Sequence, residues 1–193
     1  MTVARMVLFS MVGGLAASVG GVAARAGRQP VDWTSLSLDA IGGGKLPTAG
    51  YRGKVVLLVN TASRCGFTGQ YRGLEASWRR HRDRGLILLG VPSNDFGGQE
   101  PDGDDAIARF CETRFDITFP LAGKQVVSGP NAHPLYRWAA GQTGPSGAPN
   151  WNFHKLLISR DGRLVDWFSA MTKPGAASLE TAIGRALDEP ASS

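Results

Sequence analysis

Cysteine is almost missing from this chain: of 193 residues only Cys65 and Cys111 are cysteines. They stand far apart, so there is no CxxC pair, the usual device of a protein disulfide oxidoreductase. With only three histidines, no Cys/His cluster has the spacing of a structural zinc site. A strong charge imbalance is absent too. Lys plus Arg number 21 and Asp plus Glu 16, a formal net charge of +5, too mild and too scattered to argue for nucleic acid as a partner. The densest basic run, Arg79-Arg80-His81-Arg82-Asp83-Arg84, reads as the solvated end of a helix, where cations suit the dipole. Long apolar runs are missing beyond the N-terminus, so no later stretch is expected to cross a membrane. No internal repeat or second domain is visible.

What the N-terminus does have is the pattern of a secretory leader. Arg5 supplies the charge, Met6 to Val22 is an uncharged apolar run, and Ala24-Arg25-Ala26 fits the small-x-small pattern before a cleavage site. The run is short, and rich in Gly and Ala, for a spanning anchor. The expectation is a leader over residues 1–26, cleaved after Ala26, and one exported, periplasmic domain over 27–193. An oxidising compartment favours pairing of two thiols. The count alone leaves a structural disulfide and a redox couple equally open.

The mature part reads as alternating strands and helices. Trp33 to Asp39 and Lys45 to Tyr51, joined by Gly42-Gly43-Gly44, read as a hairpin with Pro47 suited to an edge. Val55 to Val59 is an unbroken β-branched and Leu run, as in a strand covered on both faces. From Gly69 the period changes. Tyr71, Leu74, Trp78 and His81 form a helical stripe that Gly85 ends. Leu86 to Val91 is a second central strand, completing a right-handed βαβ unit. A loop over Pro92 to Gly103 leads to a helix opened by Asp104-Asp105, with Ile107, Phe110 and Cys111 inward. Phe119 to Val127 reads as extended, Ala132 to Ala139 as a brief helix, and Gly141 to Asn150 as irregular. Phe153 to Ser159 and Arg163 to Ser169 flank Asp161-Gly162, a hairpin signal. Ser178, as N-cap, opens a closing helix to Leu187. The order predicts an α/β, thioredoxin-like fold: a mixed central sheet flanked by helices, with an added N-terminal hairpin.

The chemistry gathers on Asn60-Thr61-Ala62-Ser63-Arg64-Cys65-Gly66-Phe67-Thr68-Gly69-Gln70. It places Cys65 between the first central strand and the helix, where open α/β sheets put their sites. A helix N-terminus carries free N–H groups and partial positive charge, which favour a thiolate. A thiol that attacks a peroxide O–O bond also needs neutral donors around sulfur and around the leaving oxygen. Gln99, in the loop after the second strand, and Trp151 and Asn152, before the later hairpin, can converge at that end of the sheet. Their spacing leaves them equally open as a surface amide, a core ring and a turn residue.

Three motifs in this order decide more. Asn60-Thr61-Ala62-Ser63-Arg64-Cys65-Gly66-Phe67-Thr68, then Asn94-Asp95-Phe96-Gly97-Gly98-Gln99-Glu100-Pro101, then Trp151-Asn152-Phe153-His154-Lys155-Leu156-Leu157 together resemble the glutathione peroxidase family. The resemblance covers residues 31 to 187. It implies reduction of hydrogen peroxide and organic hydroperoxides, with Cys65 as peroxidatic residue and Gln99, Trp151 and Asn152 completing a catalytic tetrad. It assigns Cys111 to resolving the Cys65 sulfenic acid as an internal disulfide, as in the cysteine-containing branch recycled by a thioredoxin-type reductant. That attack requires local unwinding of the Cys111 helix. No metal or other cofactor is implied, and a monomer is expected because no long insertion is present. Ser93 and Asp95 depart from the family's Cys and Gln, and Asp95 is expected to bring a charge near the site. The rivals are a one-cysteine, glutathione-dependent peroxidase with a structural Cys111, and a non-catalytic exported domain whose two cysteines are permanently paired.

Overall fold

The computed structural model describes residues 29–190. The expected leader over residues 1–26, with its expected cleavage position, lies outside them. The eight principal elements are β1 (Val55–Thr61), α1 (Gln70–His81), β2 (Leu86–Pro92), α2 (Asp104–Phe115), α3 (Pro134–Thr143), β3 (Lys155–Ile158), β4 (Leu164–Phe168) and α4 (Ala177–Asp188). The strands form one sheet in the order β2-β1-β3-β4. β1 runs parallel to β2 and antiparallel to β3, and β4 returns antiparallel beside β3. Mixed pairing follows from the connections: a helical crossover joins β1 to β2, and a tight turn joins β3 to β4.

β1 is buried along its whole length, and its residues alternate between two apolar layers. Val55, Leu57 and Val59 pack with Tyr71 and Leu74 of α1, Ile107 of α2, and Leu179 and Ile183 of α4. Val56 and Leu58 pack on the other face with Leu135 and Tyr136 of α3 and with Trp33 from the N-terminal segment. A strand covered on both faces therefore reads as the continuous apolar run seen in the sequence.

Several expectations are revised in detail. The N-terminal hairpin is reduced to an Asp39–Lys45 bridge around the Gly42–Gly44 turn, and Thr48–Tyr51 is a 3-10 turn instead of a strand. Pro47 supplies no N–H for a ladder, so pairing stops there. Helix α3 starts at Pro134 and continues through Gly141 to Thr143, inside the stretch read as irregular. Its first-turn proline and a cap from His133 to the Leu135 N–H fix the start. Helix α4 begins at Ala177 with no side-chain cap, so Ser178 is not its N-cap. The basic run at the end of α1 is more than a solvated face: Glu180 of α4 takes hydrogen bonds from Ser77 and Arg80 and pairs with His81, tying α4 to α1.

Candidate active site

At the C-terminal end of β1 the chain leaves the sheet through a turn over residues 62–69 and enters α1 at Gln70. Cys65 therefore stands one turn before the helix, between β1 and α1. Overlapping turn bonds, Thr68 N–H to Cys65 O, Gln70 N–H to Phe67 O and Tyr71 N–H to Thr68 O, wind this segment into the helix. The Phe67 N–H donates to Cys65 Sγ at 3.4 Å inside this turn, so a backbone donor faces the sulfur. Thr68 braces the turn. Its Oγ1 accepts from the Cys65 N–H at 3.1 Å and lies 3.0 Å from the Ala62 carbonyl. Cys65 is 9% exposed, within reach of a small molecule but shielded from bulk water.

Gln99 is on the loop after β2. Its carbonyl accepts the Arg64 N–H at 3.0 Å, which fastens this loop to the residue beside Cys65. Asn152 is fully buried, and its Nδ2 donates to Gln99 Oε1 at 2.9 Å and to the Phe96 carbonyl at 3.3 Å. Trp151 has its carbonyl held by Asn60 Nδ2 at 2.9 Å, while its ring lies 6.3 Å from that of Phe96. Gly97, at φ +69°, makes the convergence possible. A Cβ there would sit 3.6 Å from both Gln99 Nε2 and the Trp151 ring. Gln99, Trp151 and Asn152, drawn from two distant loops, thus meet in one group that is anchored to the Cys65 turn. Neutral amide and indole donors in such a place stabilise developing negative charge without a counter-ion.

Asp95 does not act as expected. Its Oδ2 accepts from the Val127 N–H, the Ser128 N–H and the Ser128 hydroxyl at 2.7 to 3.0 Å. The carboxylate is engaged in holding that backbone. Cys111 lies on the inner face of α2, 1% exposed, in the same apolar layer as Cys65, and both thiols are free. Burial pushes its thiol up to about 11.

Sequence reasoning passed over the burial of two charged residues at this end of the molecule, and took a third polar one as core. Lys155 has its ammonium fully buried between Gln70 Oε1 at 2.6 Å and the Thr172 carbonyl at 2.7 Å. Tyr71 and Glu100 are also fully buried. Tyr71 followed the helical stripe and read as core. Glu100 and Lys155 sat inside recognisable motifs, but a charge on a central strand or loop carries no periodic signal of burial.

A family model described as glutathione peroxidase matches residues 33–140. A glutathione peroxidase-like peroxiredoxin of Schizosaccharomyces pombe is 46% identical over 134 residues, covering 68% of this chain and 85% of that protein. A hydroperoxy fatty acid reductase of Synechocystis is 44% identical over 155 residues, covering 75% of this chain and 92% of that protein. Among solved structures, Trgpx in its apo form superposes with a TM-score of 0.68 at 33% identity, over 85% of this chain and 100% of that one. A thioredoxin-family thiol:disulfide interchange protein from Chlorobium tepidum, at 16% identity and a TM-score of 0.62, shares the fold alone.

Proposed function

The chain belongs to the glutathione peroxidase family, and on that premise we propose how its residues divide the work of a thiol-dependent peroxidase. Cys65 attacks the terminal peroxide oxygen as a thiolate. The O–O bond breaks, the product alcohol or water leaves with a proton, and Cys65 is left as sulfenic acid. Gln99, Trp151 and Asn152 supply the neutral donors. Cys111 then condenses with the sulfenic acid to give an internal disulfide, and a dithiol of thioredoxin type reduces it by exchange. For Cys111 to reach Cys65, α2 opens locally.

The observation that carries the reading is the Asn152 Nδ2 to Gln99 Oε1 hydrogen bond of 2.9 Å, on a loop whose Gln99 carbonyl is bound to the residue beside Cys65. A buried amide and a half-buried one from distant segments are held together on the loop that is tied to the Cys65 turn. For substrates, a cavity of about 360 Å³ borders the Cys65 turn, lined by Gly66, Phe67, Gly69, Gln70, Gly73, Lys173 and Pro174. Its size and the Phe67 and Pro174 walls suit the apolar part of an organic hydroperoxide as well as hydrogen peroxide.

Thiol trapping after one equivalent of peroxide tests the assignment on the wild-type chain and on each cysteine variant. We expect an internal disulfide in wild type, a trappable sulfenic acid in Cys111→Ala, and neither in Cys65→Ser. A second reading is favoured by the burial of Cys111: a one-cysteine cycle in which glutathione resolves Cys65. Equal turnover with glutathione and a thioredoxin-type dithiol in Cys111→Ala would establish it.

We propose that residues 1–26 act as a leader for export to the periplasm, supported by Arg5, the uncharged run Met6 to Val22 and Ala24-Arg25-Ala26, and tested by N-terminal sequencing of the protein recovered from that fraction. We take the chain as a monomer, tested by light scattering.

A further inference from the structure

Lys155 is the one charged residue of β3. Leu156, Leu157 and Ile158 beside it are apolar and fully buried, and Lys155 is buried as completely. It lies opposite Val59 in the antiparallel pair of β1 and β3, and residues paired in this way share a face of the sheet. Its side chain therefore enters the layer that Val59 shares with α1 and α4. There Nζ donates to two uncharged oxygens, Gln70 Oε1 at 2.6 Å and the Thr172 carbonyl at 2.7 Å. Burying a lysine costs more than burying an apolar side chain of similar length, so the bonds that Nζ makes are what set this position apart.

Those bonds join the two segments that wall the cavity beside the Cys65 turn. Gln70 lines it from the first residue of α1. Lys173 and Pro174 line it from the segment between β4 and α4, directly after Thr172. Gln70 repeats the tie, because its Nε2 donates to the Ala170 carbonyl at 2.7 Å. Its N–H donates to the carbonyl of Phe67, a further lining residue, at 2.8 Å. The two segments also press together: a Cβ on Gly73 of α1 would sit 2.8 Å from Pro174 Cβ. One buried Nζ and one side-chain amide thus clamp the 170–172 backbone to the start of α1.

We propose that Lys155 is a positioning residue for substrate choice: by tying Gln70 to the 170–172 backbone it fixes the width of the cavity beside Cys65, and so sets how well the enzyme takes hydroperoxides that carry a bulky apolar group. This rests on Cys65 being the peroxidatic residue and on this cavity holding the apolar part of the substrate. Lys155 acts through Gln70 and the Thr172 carbonyl, not on the reacting atoms. Hydrogen peroxide has no group to place in the cavity, so its reaction does not depend on the clamp. An organic hydroperoxide does, and a misfit of about one methylene in an apolar pocket changes selectivity by roughly 10- to 200-fold.

The test compares stopped-flow rate constants for Cys65 oxidation by hydrogen peroxide and by cumene hydroperoxide, in the full, reduced chain. Lys155→Met keeps an unbranched stem and removes the clamp. Its constant for cumene hydroperoxide should fall about tenfold, while that for hydrogen peroxide stays within about twofold of wild type. If Lys155→Met does not fold, Gln70→Met releases the same clamp from its other end, with the same outcome expected. Gly73→Ala tests the width with the clamp intact. Alanine suits a helix better than glycine, and the added Cβ must displace Pro174, so the ratio of the two constants should shift by at least about threefold. An unchanged ratio in the clamp variant or in Gly73→Ala overturns the proposal; equal losses for both peroxides would make the clamp only a brace for the Cys65 turn. A wild-type chain in which neither peroxide oxidises Cys65 overturns the peroxidase reading, and this proposal with it.

Discussion

The two cysteines sit in one apolar layer and differ in almost everything else. Cys65 is on a wound turn at the sheet's end, with a backbone N–H aimed at its sulfur at 3.4 Å and a threonine bracing the loop. Cys111 is on a regular helix, 1% exposed, with its thiol pushed up to about 11 by burial. The turn leaves donors over, because a helix start always does. The helix interior has none to give, because every N–H there is already bonded. One sulfur is therefore placed for attack in the resting fold, and the other needs a change of structure or a proton acceptor before it can react.

The largest expected effect breaks the comparison on the Cys65 side. Cys65→Ser should abolish peroxide consumption to the background rate, since a hydroxyl at this turn remains un-ionised at neutral pH. Residual turnover in a peroxide-coupled assay would move the chemistry elsewhere. Next is Cys111→Ala. It should consume one equivalent of peroxide and then stall with a thioredoxin-type reductant. In the wild type, α2 amides should exchange faster with deuterium in the disulfide form than in the dithiol form. Equal protection of α2 in both forms would remove the helix opening from the cycle.

Much of this contrast could be read before any fold was known, and for definite reasons. β1 and β2 are covered on both faces, so their unbroken Val and Leu runs announce themselves. α1 shows its stripe at Tyr71, Leu74 and Trp78. The position of Cys65 after the first of these strands follows from that order alone. Spacing could not place Gln99 against Asn152, because their contact joins two loops whose path is set by Gly97 and by the Asn60–Trp151 bond, not by any period. The N-terminal hairpin shrank to a bridge because local alternation does not supply a partner for each strand's ladder. The extension of α3 through Gly141 shows the reverse. Packing of Leu135, Tyr136 and Ala139 into the core overrode a composition that favours loops. Glu100 and Lys155 were invisible as buried groups, since nothing local distinguishes a charge in the interior from one on the surface.

The proposed donor group gives a smaller effect that sharpens the Cys65 half. Asn152→Ala removes one donor and leaves Gln99 Oε1 without its partner. The rate of Cys65 oxidation by peroxide should fall about 10²-fold, read from single-turnover fluorescence, with sulfenic acid still formed. A loss of less than about threefold would mean that Asn152 only braces the loop.

The smallest effect concerns stability. It bears on the same turn, because Lys155 grips Gln70, the residue that opens α1 behind Cys65. Here a charge-bearing group is buried without an acidic partner, and burial pulls its ammonium down from 10.5 to about 7. The folded chain thus releases this proton near pH 7, while the unfolded chain keeps it until about 10.5. Between those values the unfolded state binds more protons, so this residue's contribution to stability rises with pH, and below about pH 7 it is flat. Lys155→Met removes the titration and keeps an unbranched apolar stem. Other groups titrate in both proteins and cancel in the difference. From pH 7 to pH 9 the wild type should therefore gain on the order of 2 kcal/mol relative to the variant in denaturant-unfolding free energy. A difference that stays constant across that range would mean that the two acceptors, Gln70 and Thr172, keep Lys155 charged in the folded chain.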